Sequence, residues 1–478
     1  MPITPWSTIA ELARALRAKE VSSVELTRFY IDRLARYGER LGAVVTITRE
    51  RAMREAEAAD RELARGVAPG RPLLGIPHGV KDLLATKGIP TTWGAEPYRQ
   101  QVFDYDATVV ERLTRAGAVL VAKLAMVELA GGFGYNNADA SFTGPGRTPW
   151  NTDFWSGGSS SGPGAAVAAG LVPFAIGSET SGSILTPAAF SGVTGLRPTY
   201  GAVSRYGAMA LCWTLDKIGP MARTAADCNT VFGAIAGEDE NDPTTTGVFR
   251  SGRASYVDSG VMAREANRRK TRIGLVKGSW DAVQPAVREN FLRSVEVLRS
   301  QGHEVREIDY PDMPYGPTIS LIVDAEGASA FEDILVDGRA KQLRAVADRT
   351  GGYASAATLA IDYLRAQRVR GKIRQALVKL FDDVDLVVSP TRSTVAYPIG
   401  PNFDEVYKDV RSGPAVIPSM NLLGAPAIAM PNGFGENGLP TSIQLNAAPA
   451  NEALLASVAI HYQLATGHHQ AGPAAFAS

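Results

Sequence analysis

The chain has 478 residues, 45% of them hydrophobic and 21% charged, a composition that suits a globular protein with a large buried core. Lys plus Arg and Asp plus Glu each number 49, so the net charge is zero and nothing electrostatic favours nucleic acid or an anionic membrane surface as partner. The two cysteines, Cys212 and Cys228, lack CxxC spacing, which argues against a disulfide scaffold or a cysteine zinc site and is compatible with a reducing cytoplasm.

The first stretch, MPITPWSTIAELARALRAKE, has no apolar segment of the signal-peptide kind. It reads as a helix with Thr8 as N-cap and Glu11 completing a capping box. Residues 7–66 are amphipathic and rich in Arg, Glu and Ala, so 1–70 is expected to be a helical segment packed on the core. In PLLGIPHGVKDLLATKGIPTTWG (72–94), Gly and Pro punctuate apolar runs as in strands joined by tight turns. ATVVERLTRAGAVLVAKLAMVELA (107–130) predicts a helix and then a buried strand, AVLVAK. Residues 131–164 show little periodicity and end in WSGGSSSGPG. AAVAAGLVPFAIG (165–177) is too short and interrupted to cross a bilayer and predicts a small-residue helix and a strand. A polar surface excursion is expected at about 238–270. RIGLVKG, a helix around 286–301 and HEVREIDY form a β-α-β pattern, and a helical block covers about 319–381. DVDLVVSPT (383–391) predicts a strand delivering a loop, and PAIAMPNG, SIQLN and a helix from Glu452 close the chain. Strands alternating with helices imply an α/β architecture, with 71–478 as one main domain.

WSGGSSSGPG carries three consecutive serines and no base beside them. A flexible linker is one reading. A phosphate cradle fails because no Lys follows the glycines, and TDFW is a poor strand ahead of a dinucleotide fingerprint. GSSSG matches GxSxG with Ser160 at its centre, which would require a Ser-His-Asp esterase. The five histidines (His78, His303, His461, His468 and His469) offer no obvious partner, and SxxK and HExxH are both absent. A second serine cluster follows at GSETSGSILTP (177–187). Small residues ahead of Ser183 can turn several backbone N–H groups toward one point, as an oxyanion hole requires. The base can come from Lys81 in the apolar context GIPHGVKDLL, because burial disfavours the ammonium and leaves an amine able to accept a proton.

These stretches together resemble the amidase signature family over roughly residues 5–465, from GIPHGVKDLLATKGIPTTWG through both serine clusters to NLLGAPAIAMP, GLPTSIQ and Glu452. The resemblance implies one α/β/α sandwich around a large mixed twisted β-sheet and a Ser–cis-Ser–Lys triad without cofactor or metal. Carried onto this chain, the base is Lys81, the cis-serine Ser159 and the nucleophile Ser183. It further implies an oxyanion hole of the Thr180, Ser181, Gly182 and Ser183 amides, with Gly131 and Gly132 approaching the acyl side of a substrate.

Around the nucleophile the commoner family string is Asp-x-Gly-Gly-Ser-x-Arg. Here Glu179, Ser181 and Leu185 replace its Asp, first Gly and Arg, which questions the polar network those residues support. Leu129, Phe133, Tyr135, Leu185 and Ile322 are expected to line an apolar or aromatic pocket. A stand-alone amidase acting on a small amide, carbamate or ester is therefore expected, as a cytoplasmic monomer or homodimer with no nucleic-acid or membrane partner. The rival is the glutaminase subunit of a tRNA-dependent amidotransferase, whose sequences share PWN and GGSSSG and whose complexes handle tRNA.

Overall fold

The computed structural model describes residues 3–66, 71–249, 270–410 and 413–478. Most of the expected surface excursion, 250–269, therefore lies outside the described residues. The strands are β1 (Val44–Ile47), β2 (Pro77–Lys81), β3 (Val119–Leu124), β4 (Phe174–Glu179), β5 (Thr194–Arg197), β6 (Lys217–Ala222), β7 (Arg272–Val276), β8 (Glu304–Ile308), β9 (Leu386–Pro390), β10 (Ala427–Phe434) and β11 (Pro440–Ala447). They form one mixed sheet in the order β1-β3-β2-β4-β6-β5-β10-β11-β9-β7-β8. β3, β2 and β4 run parallel at one end, as do β9, β7 and β8 at the other, and antiparallel pairings join the two groups.

Successive strand residues point to opposite faces, and this sheet is covered on both. In β10, Ile428 and Met430 join one core cluster while Ala427 and Ala429 join the other. β3 divides likewise, with Leu120 on the first face and Val119 and Val121 on the second. Covering helices include α1 (Ile9–Arg17), α2 (Ser23–Tyr37), α3 (Arg49–Ala64), α4 (Thr108–Arg115), α5 (Ser161–Ala168), α6 (Leu185–Ser191) and α7 (Ala225–Ile235). The small side chains of α5, Ala165 to Ala168, are wholly buried, which lets that helix lie close on the sheet.

Local expectations are met where side chains act on their own backbone. Thr8 and Glu11 form the capping box of α1, with Thr8 N donating to Glu11 Oε2 at 2.8 Å and Glu11 N to Thr8 Oγ1 at 3.2 Å. The N-terminal segment is not helical throughout, because β1 interrupts it and pairs antiparallel with β3. That edge strand gains its place from a partner distant in sequence, which no local pattern announces. Cys212 and Cys228 are both free and buried. No helix among the described residues is long and apolar enough to cross a membrane.

Candidate active site

The site lies beyond the C-terminal ends of the adjacent parallel strands β2 and β4, where ligands commonly bind in α/β sheets. β2 ends at Lys81, which is wholly buried. Its Nζ donates to Ser159 Oγ at 2.7 Å and to Ser178 Oγ at 2.9 Å. Both partners are hydroxyls. Burial pushes the Lys81 amine down to about 7, against a weaker upward pull from Asp216 and Glu179.

Ser159 sits in the loop entering α5, and the Gly158–Ser159 peptide bond is cis. The two serines that follow it hold the loop rather than reach for Lys81. Ser160 Oγ donates to the Ser178 carbonyl at 3.1 Å and accepts from Ser178 N at 3.3 Å. The Ser161 carbonyl accepts from Ser156 Oγ at 3.1 Å. A Cβ on Gly177 would meet Ser160 Oγ at 2.9 Å, so a glycine allows this close approach of loop and strand.

β4 leads into the turn 180–184 and then α6. Gly182 has φ +95°, outside the range side chains favour, and the turn leaves Ser183 half-buried. Ser160 N donates to the Ser183 carbonyl at 3.2 Å, tying the two serine clusters together. Among the described residues the amides of Ser181, Gly182 and Ser183 donate to no acceptor.

The polar network placed in question by Glu179 is present in another form. Glu179 Oε2 accepts from the amides of Ile184 and Leu185 at 2.9 and 3.0 Å, which fixes the start of α6. Its Oε1 accepts from Arg197 Nη1 and Asn421 Nδ2, each at 2.9 Å. Arg197 and Glu179 are both fully buried. These contacts hold the Glu179 carboxyl below its usual range although burial pushes it upward.

Above Ser183 lies a cleft of about 320 Å3 lined by Gly131, Tyr135, Trp155, Tyr397, Phe403 and Arg392, with Thr180, Ser181 and Ser183 at its floor. Its aromatic rings pack on one another: Trp155 and Phe403 stack at 4.8 Å, and Tyr135 meets Phe403 edge-on at 5.9 Å. Arg392 Nη2 donates to the Tyr397 hydroxyl at 3.0 Å. No described histidine or acidic residue lines this cleft. His78, in β2, is buried and stacked flat on Phe174 instead.

Of the residues expected to line a substrate pocket, Gly131 and Tyr135 face this cleft. The others do not line it. Leu129, Phe133, Leu185 and Ile322 belong to the hydrophobic core, and Gly132 is buried beneath Leu211 and Phe331. Proximity to a motif does not settle which way a side chain turns. Leu129 and Ala130 have φ +51° and +56°, an arrangement that costs a non-glycine residue about 1–2 kcal/mol. The Glu128 carboxylate steadies this loop by accepting the Arg344 and Ala345 amides, each at 2.8 Å.

A family profile described as Amidase matches residues 25–456. The chain belongs to the amidase signature family. This family member is 38% identical to a glutamyl-tRNA(Gln) amidotransferase subunit of Azotobacter vinelandii, across 98% of this chain and 99% of that protein. It is 39% identical to the corresponding amidotransferase subunit of a Roseiflexus species, across 98% of each. Among solved structures it is similar to a peptide amidase from Stenotrophomonas maltophilia (TM-score 0.81, 30% identity, 96% of this chain and 97% of that one). It is also similar to a structure described as a vestigial protein complex that reveals the evolutionary origins of an s-triazine catabolic enzyme (TM-score 0.86, 30% identity, 96% and 99%). Together these matches identify the chain as a C–N hydrolase of the amidase type.

Proposed function

We propose that the chain cleaves the C–N bond of an amide through an acyl-enzyme on Ser183, with Lys81 as base and Ser159 as proton relay. One observation carries this reading: a buried lysine amine, lowered to about 7, is hydrogen-bonded to Ser159 beneath a cleft that holds Ser183. Ser183 Oγ attacks the carbonyl carbon while its proton passes through Ser159 to the Lys81 amine. The Ser181, Gly182 and Ser183 amides, with Thr180 beside them, receive the oxyanion; one such donor is worth about 10²–10³ in rate. The ammonium so formed returns the proton through Ser159 to the leaving nitrogen, without which the C–N bond breaks poorly. Water then attacks the acyl-enzyme by the same route. Carbamates and esters fit the same steps.

The aromatic lining favours a flat or apolar group beside the scissile bond, as in an aryl amide or carbamate. The second reading, the glutaminase subunit of an amidotransferase, is favoured by whole-chain likeness to such subunits, which speaks for it more strongly than for a stand-alone amidase. The cleft pulls the other way. Free glutamine carries an ammonium as well as a carboxylate, and no acidic described residue lines the cleft to receive the ammonium. The purified chain, given anilides, aryl carbamates, aryl esters and glutamine, is expected to release arylamine without a partner. Release of glutamate from glutamine alone, and only alongside partner subunits, would establish the second reading.

A further inference from the structure

Beside the cleft lies a second cavity of about 210 Å3, rimmed by the exposed Tyr206 and Trp213, that the steps above do not use. Ser178, the second hydroxyl partner of Lys81, forms part of its wall. Ala130, Thr180 and Leu211 face both this cavity and the cleft over Ser183, so the two spaces are neighbours across Thr180.

The charged groups of the cavity are not equally engaged. Asp216 accepts from the Leu211 and Cys212 amides at 2.9 and 2.8 Å and from Thr180 Oγ1 at 2.6 Å. Arg205 is bound to Asp242 and Thr244. Lys217 differs. The residue is 2% exposed, and its Nζ has no hydrogen-bond partner among the described residues. Glu179 and Asp216 attract it while Arg197 and Arg370 repel it, yet the Glu179 oxygens are already taken by Arg197, Asn421 and two amides. As ammonium or as amine, Lys217 keeps N–H donors that burial alone leaves unsatisfied, a costly state unless an acceptor arrives from outside.

We infer that this cavity is a second substrate subsite in which Lys217 donates to an oxygen acceptor, a carboxylate or carbonyl, carried by the substrate beyond the bond that is cut. The inference rests on the Ser183 reading and adds a polar determinant to its aromatic one. The oxygen can belong to the acyl part or to the leaving amine, and two pairs of substrates separate these sources. Succinyl and butyryl 4-nitroanilides differ at the acyl end; acyl amides of 4-aminobenzoate and 4-toluidine differ at the amine end. For Lys217→Met, the kcat/KM ratio of the carboxylate-bearing substrate over its apolar match is expected to fall about tenfold or more in one pair, chiefly through KM. Lys217→Gln, which keeps an N–H donor, should retain part of the preference. Equal ratios in wild type and both variants, in both pairs, would overturn the subsite. Calorimetric binding of succinate and 4-aminobenzoate does not depend on turnover. Should none of the four amides be cleaved, weaker binding of either ligand to Lys217→Gln still supports the cavity as a site while the Ser183 reading falls. Equal binding, or none to wild type, refutes the site as well.

Discussion

Two buried lysines stand on neighbouring strands and meet opposite fates. Lys81 ends β2 and pairs in register with Leu124, whereas Lys123, in β3, pairs with Val80, so the two side chains leave opposite faces of the sheet. Lys123 Nζ lies 2.9 Å from Asp82 Oδ1, both fully buried, and donates to Thr91 Oγ1 at 2.6 Å. Burial lowers the Lys123 amine, but Asp82 pulls it back toward the charged form. Among the described residues Lys81 meets two hydroxyls and no carboxylate within contact, and falls to about 7. The same residue type in the same depth of core is thus an ion-pair partner on one face and, in the function proposed above, a base on the other. Partner chemistry, more than burial, separates them.

The largest expected effect that tests this contrast is on turnover. Ser183→Ala and Lys81→Met should each lower kcat by about 10⁴-fold or more, whereas Lys123→Met should leave kcat within a few-fold of wild type, all measured on one aryl amide. Comparable losses at Lys81 and Lys123 would abolish the distinction. The Lys123 change should appear in stability instead. Leaving Asp82 buried without its cation is expected to cost about 3–5 kcal/mol, read from urea denaturation.

The pH profile sharpens the comparison further. With Lys81 acting as the neutral amine, as proposed, kcat should rise about tenfold per unit below pH 7 and level off above it. A profile that falls with pH through 7 would exclude Lys81 as base. The smallest effect belongs to Ser178→Ala. Removing one of two hydroxyl acceptors makes the ammonium less favourable, so the rising limb should move to lower pH by less than about one unit.

Much of the site was legible because it lies in motifs. Lys81, Ser159 and Ser183 stand in GIPHGVKDLL, WSGGSSSGPG and GSETSGS, and two of these stretches flank glycines that the backbone uses for turns or close approaches. Ser178 was missed although it sits in the same GSETSGS cluster, since nothing local says that its hydroxyl faces Lys81. Arg197 and Asn421 were missed for a related reason. They reach Glu179 from strand β5 and from the helix Val416–Leu423, and only the folded sheet joins them. Of the aromatic cleft, Trp155 adjoins the serine stretch, whereas Tyr397 and Phe403 arrive on the loop after β9.

By itself, the sequence determined the alternation of strands and helices, the capping of α1 and the residue types that can carry acyl transfer, because these follow from short-range periodicity and local chemistry. Only the tertiary structure decided which face each lysine occupies, which oxygens it meets and which residues line the cleft. Those are properties of strand register and of loops brought together from opposite ends of the sheet, and a residue shift of one reverses the face on which a side chain lands.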